Sequence, residues 1–204
     1  MTFVNRIAGA TALGAALLLG LLSPPAQAGY IVTLTQQGND VVASGSGTID
    51  LISLTPFGSA SGAAAIEPIN GRVHTGPTAF VATDSYSGFT GPFGFGSGLF
   101  TFPSSGSGDM VGIDRADNVI YVPAGYASDG ALSDTSTYAG QTFSSLGVTP
   151  GSYVWTWGSG AHADSFTLDI VTGTVREPSS LLLLVPLGVL SLLAARHRLA
   201  TPIA

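Results

Sequence analysis

The stretch "SYVWTWGSGAHADSFTLDI", Ser152–Ile170, decides the fold. Tyr153, Trp155 and Trp157 alternate with Val154 and Thr156, and Phe166, Leu168 and Ile170 alternate with Thr167 and Asp169. A period of two marks a strand with one buried face and one wet face. The segment Gly158–Asp164 between them is short and turn-forming, so the two runs predict an antiparallel hairpin.

The same pattern recurs outward from there. Tyr30–Thr35 and Val41–Leu51 flank "QQGND" and predict a second hairpin. In its second arm Val41, Ala43, Gly45, Gly47, Ile49 and Leu51 share one face, while Val42, Ser44, Ser46, Thr48 and Asp50 share the other. "NVIYV", Asn118–Val122, reads as a short strand bounded by Pro123 and Gly125. Helical signals are thin: serine and threonine supply 36 of the residues from 29 to 175, and glycine and proline interrupt nearly every run. Only "SASGAAAI", Ser59–Ile66, suggests a helical turn. The expected body is an all-β antiparallel sandwich or roll of short strands.

Charge and cysteine usage narrow the functions open to this body. Charged residues are 9% of the 204, far below the roughly 25% usual in soluble domains, and lysine is absent. From Gly29 to Val175 eleven acids face Arg72 and Arg115, a balance of −9. A nucleic-acid partner is excluded on that ground, because neutralising phosphates needs a basic face. The lack of cysteine excludes disulfides, thiolate metal sites and a cysteine nucleophile.

Both ends read as handling signals. In residues 1–28, Arg6 precedes the apolar run Ile7–Leu22, Ser23-Pro24-Pro25 breaks it, and Ala26-Gln27-Ala28 offers small residues for a signal peptidase. Cleavage is expected between Ala28 and Gly29, with export by the secretion machinery. Residues 174–204 carry a second apolar segment, in which Ser179–Ala195 contains no charge. Seventeen helical residues span roughly 25 Å against a hydrocarbon core of about 30 Å, a short but workable transmembrane helix. Arg196, His197 and Arg198 open the basic tail 196–204, where cytoplasmic positive charge is favoured. Before the helix, Pro178 keeps Glu177 out of helical geometry and leaves an extended peptide at the membrane surface.

This ordered tail resembles the PEP-CTERM sorting signal of Gram-negative bacteria. Val175, Glu177 and Pro178 match the usual Val-Pro-Glu-Pro motif, Arg176 stands in place of its first proline, and Arg196 and Arg198 match the terminal arginine cluster. "YIVTLTQQGNDVVASGSGTIDL" and "TYAGQTFSSLGVTPGSYVWTWGSGAHADSFTLDI" are similar to blocks that recur in small PEP-CTERM proteins of unassigned role. The resemblance implies processing by an exosortase, a membrane-embedded cysteine transpeptidase-like enzyme. It also implies passage from the inner membrane to the cell surface or an exopolysaccharide matrix. Residues 29–173 are then the exported domain, non-enzymatic and without a cofactor.

Three stretches of the body carry residue types suited to chemistry. Asp109, Asp114, Asp117 and Asn118 in "GDMVGIDRADN" gather oxygen ligands of the kind Ca²⁺ takes, but at no EF-hand spacing, and Asp114 can simply pair with Arg115. His162, Asp164 and Ser165 have the residue types of a hydrolytic triad, yet near-adjacent residues on a hairpin rarely converge, and no Gly-x-Ser-x-Gly elbow occurs. "YSGFTGPFGFGSGLFTFP", Tyr86–Pro103, alternates aromatics with glycine. Without a P-loop lysine its glycines do not make a phosphate loop. Its aromatics either fill the core, the commoner fate, or form a platform for sugar rings. A secreted carbohydrate-binding module, with Trp155 and Trp157 as candidate contacts, is the alternative function, and an exported hydrolase the third. His74 stands alone and suggests no role.

Overall fold

The computed structural model describes residues 29–172. In chain order the strands are β1 (Tyr30–Gln37), β2 (Asp40–Gly47), β3 (Thr55–Gly62), β4 (Ala65–Glu67), β5 (Arg72–Thr75), β6 (Val81–Ser87), β7 (Ser105–Gly108), β8 (Val111–Asp114), β9 (Val119–Pro123), β10 (Leu132–Tyr138), β11 (Gly151–Trp157) and β12 (Asp164–Val171). They form two six-stranded sheets, β11-β12-β1-β2-β10-β7 and β3-β6-β9-β8-β5-β4. Every neighbouring pair is antiparallel except β1 and β12, where Tyr30 lies beside Phe166 and Leu34 beside Ile170 in parallel register.

The two predicted hairpins form. β11 pairs with β12, Trp155 opposite Phe166, and β1 pairs with β2 around a turn at Gly38. Val32, Leu34, Val41, Phe166, Leu168 and Ile170 from the first sheet share one buried cluster with Val73, Val111, Ile113, Ile120 and Val122 from the second. Burying one such side chain contributes about 1.5–3 kcal/mol, so this shared core holds the sandwich closed. Ser44 and Ser46, one residue out of phase with Val41 and Ala43, face water as the alternation requires.

Three expectations are corrected. Ser59–Ile66 forms no helical turn: Ser59 and Ala60 pair with Asp84 and Thr83 in the β3–β6 ladder, and Ala65 and Ile66 pair with His74 and Val73. Sheet pairing overrides the helix preference of the alanines. The strand read as Val41–Leu51 stops at Gly47, whose φ of +136° turns the chain away. A four-residue helix, α1 (Phe143–Leu146), occurs where none was expected. Thr142 and Ser145 cap it reciprocally, and Gly147 ends it in the left-handed region. Among the described residues no helix is long and apolar enough to cross a membrane.

Candidate functional site

The outer face of the second sheet carries a cleft of about 170 Å³. Strand alternation builds its floor. β5 sends Val73 into the core and Arg72 and His74 outward; β8 buries Ile113 and leaves Asp114 outward; β9 buries Ile120 and leaves Tyr121 outward. Register then brings these together, with His74 opposite Gly112, Gly112 opposite Tyr121, and Arg72 opposite Asp114. Gly112 is required here, since a Cβ at that position would lie 2.3 Å from the His74 ring. The wall comes from two loops, one carrying Phe80 and the other Phe100 and Phe102.

Arg72 organises the polar side. Its Nε donates to Asp114 Oδ2 at 2.5 Å and its Nη1 to Glu67 Oε2 at 2.9 Å, while Nη2 lies 3.6 Å from Asp117 Oδ2. The guanidinium carbon sits 5.2 Å from the centre of the Phe100 ring, and Phe100 meets Phe102 edge-on at 4.9 Å. Asp114 also accepts from the backbone amides of Ala116 and Asp117, so this buried carboxylate is fully partnered.

His74 is 9% exposed, and its ring meets Tyr121 edge-on at 5.0 Å. Its Nε2 has no hydrogen-bond partner. Burial is the main reason its pKa falls to about 4; the Asp114 carboxylate opposes the fall and Arg72 reinforces it. The imidazole is therefore neutral at physiological pH. Burial likewise pushes the Tyr121 hydroxyl up, with Asp114 and Asp117 adding to it.

The stretches singled out from sequence are mostly dispersed. Asp109 lies before the start of β8 and accepts from Ser133 N at 2.9 Å, whereas Asp114 ends that strand, and Asn118 accepts from Arg115. Among the described residues no group of three or more acidic or histidine side chains is placed to hold a metal. Asp114 pairs with Arg72, not with its neighbour Arg115.

His162 does meet a carboxylate, but it is Asp50 and not Asp164: Nδ1 lies 2.8 Å from Asp50 Oδ2. Asp164 is buried and accepts from Asp50 N at 2.6 Å and Ser165 N at 2.7 Å. Burial pushes the Asp164 carboxyl up, with those two amides opposing it. In Asp50 burial is outweighed by the Ile52 amide, His162 and Ser128, and the carboxyl is lowered. The arrangement braces the loop after β2 and does not join His162, Asp164 and Ser165.

The aromatic stretch divides between two fates. Phe89 and Phe95 are core residues, whereas Phe93, Phe100 and Phe102 are exposed. Its glycines allow close backbone packing: a Cβ at Gly96 or Gly98 would fall about 2 Å from the carbonyl oxygen of Gly147 or Leu146. Trp155 and Trp157 are buried, donating to the carbonyls of Pro92 and Asp50, which rules them out as surface contacts for sugar.

No local motif marks Glu67, Arg72, His74, Phe80 or Tyr121. One signal was available: Arg72 is one of two cations among eleven acids in the body. The signal-cleavage residues Ala26 and Ala28 and the sorting residues Val175, Arg176, Glu177, Pro178, Arg196 and Arg198 lie outside the described residues. Gly29 is described, and its carbonyl accepts from Thr48 N at 3.2 Å. No known family, curated protein or solved structure matches the chain.

Proposed function

We propose that this chain is an exported, non-enzymatic protein of the cell surface or extracellular matrix. It is held in the inner membrane by its C-terminal helix until an exosortase cuts near Glu177-Pro178. The observation that carries the reading is the order of segments: a signal-like start, a strand-rich body, then Glu-Pro, an apolar run and an arginine cluster. The strand boundaries support it. β1 begins at Tyr30, next to the expected signal cut, and β12 ends at Val171, just before the sorting motif, so both cuts fall outside the sandwich.

Fractionation of the native cells tests the reading. The wild-type chain is expected in the surface or extracellular fraction, and a variant carrying Glu177→Ala and Pro178→Ala in the inner membrane. Equal release of both forms would contradict a motif-dependent cut.

A second reading, a secreted carbohydrate-binding body, is favoured by one specific observation. Phenylalanine side chains stand exposed beside a fixed set of polar groups in one cleft. Such a body fits an exopolysaccharide partner and is compatible with the matrix role.

A further inference from the structure

We infer that the cleft on the outer face of the second sheet binds an uncharged pyranose unit of a glycan chain, an assignment that rests on the carbohydrate-binding reading. Size bears on this first. Sites for drug-sized ligands run to about 300–1,000 Å³, and a cleft of about 170 Å³ suits a single ring. Being open, it admits one unit of a longer chain from the side.

The wall fits the apolar face of a sugar ring. Phe80 and Phe102 are 68% and 56% exposed, so their rings are free to stack. Phe100 is not equivalent, because Arg72 already lies over it. Large exposed aromatics grouped in one concavity mark a contact surface, whereas scattered ones do not.

Charge then selects among ligands. The three guanidinium nitrogens of Arg72 already face Asp114, Glu67 and Asp117, so no free cation remains for a uronate, sulfate or phosphate. The acids are equally engaged: Asp114 is buried and fully partnered, and Glu67 accepts from both Arg72 and Asn70. Only Asp117 is exposed, and a cation gains little at one solvated carboxylate. A neutral ligand remains.

The floor asks for hydroxyl groups. Ser61 and Tyr121 line the cleft with hydroxyl groups, each able to donate and to accept, whereas the unpartnered His74 Nε2 is closed to solvent. A sugar hydroxyl can take either role with them. A sugar ring combines such hydroxyls with an apolar face, which a proline-rich peptide does not.

The test is calorimetric titration of the full-length chain in micelles of lauryldimethylamine oxide, a detergent without a sugar headgroup. The probes are neutral gluco- and manno-hexaoses, an alginate hexamer, a chitosan hexamer and a polyproline peptide. The neutral hexaoses are expected to bind with millimolar or tighter Kd. Phe80→Ala and Phe102→Ala are each expected to weaken them by about tenfold. Phe57→Ala, an exposed phenylalanine outside the cleft, is expected to bind as wild type, and all three variants to keep the wild-type melting temperature. Hexaose binding that survives both cleft substitutions overturns the site while leaving the carbohydrate reading standing. No binding of any hexaose overturns both. Tighter binding of alginate, chitosan or polyproline overturns the ligand class.

Discussion

Tyr30 in β1 and Asp134 in β10 are separated by strand β2, and the Tyr30 hydroxyl reaches over Gly45 to hydrogen-bond the Asp134 carboxylate. A Cβ at position 45 would lie 2.1 Å from the Tyr30 oxygen and 2.7 Å from Asp134 Oδ1. Gly45→Ala must therefore part a buried pair that has nowhere else to go. Overpacking of this kind costs about 1–3 kcal/mol, and the separated carboxylate adds to it. The expected result is a lower denaturation midpoint for Gly45→Ala than for wild type.

Asp134 also gives the fold a pH dependence. Burial is the main cause of its rise from 3.8 to about 6, with the Tyr30 hydrogen bond opposing. Between those values the unfolded chain ionises and the folded one does not, so stability is full below pH 4 and falls as pH rises through 6. The loss from this group is roughly 3 kcal/mol. Asp134→Asn stays neutral and can still accept from Tyr30. It is expected to gain stability at pH 7 relative to wild type and to match it at pH 4, as read from urea midpoints at each pH.

His74 slopes the other way. Its pKa is lowered from 6.5 to about 4, so below pH 6.5 the unfolded chain takes up a proton that the folded one refuses. Stability from this group is complete above pH 6.5 and drains away toward pH 4. The two slopes overlap and partly cancel. His74→Gln is expected to lose the acid-side decline and to show the opposite slope, with stability falling from pH 4 to 6. An unchanged pH profile would contradict a buried neutral imidazole.

Trp155 is structural. It is fully buried, packs edge-on against Phe166 at 5.9 Å and anchors the glycine-rich loop through Pro92. Trp155→Ala is expected to cost about 3–5 kcal/mol, visible as an early thermal transition. Carbohydrate binding lost in that variant would accompany unfolding and identify no contact.

What the sequence disclosed follows from where water lies. β1, β2, β11 and β12 each bury one face and wet the other, so alternation made their pairing and inner residues readable. β5 and β8 are four residues each, and β8 is buried on both faces, Asp114 included, so neither carries a legible period. The cleft was hidden for a related reason. Arg72 and Asp114 are 42 residues apart and meet only through the β5–β8 register, and His162 finds Asp50 across 112 residues. Local spacing cannot encode such meetings: His162 has Asp164 as a near neighbour in the chain and Asp50 as its partner in space.

Intact mass spectrometry of the protein recovered from its native cells tests the export and processing proposal most directly. The predicted result is a single polypeptide beginning at Gly29 and ending near Glu177-Pro178, without the apolar segment or Arg196 and Arg198. Recovery of a chain that still runs through Ala204, from cells possessing an exosortase, would contradict it and make the C-terminal segment a permanent part of the working protein.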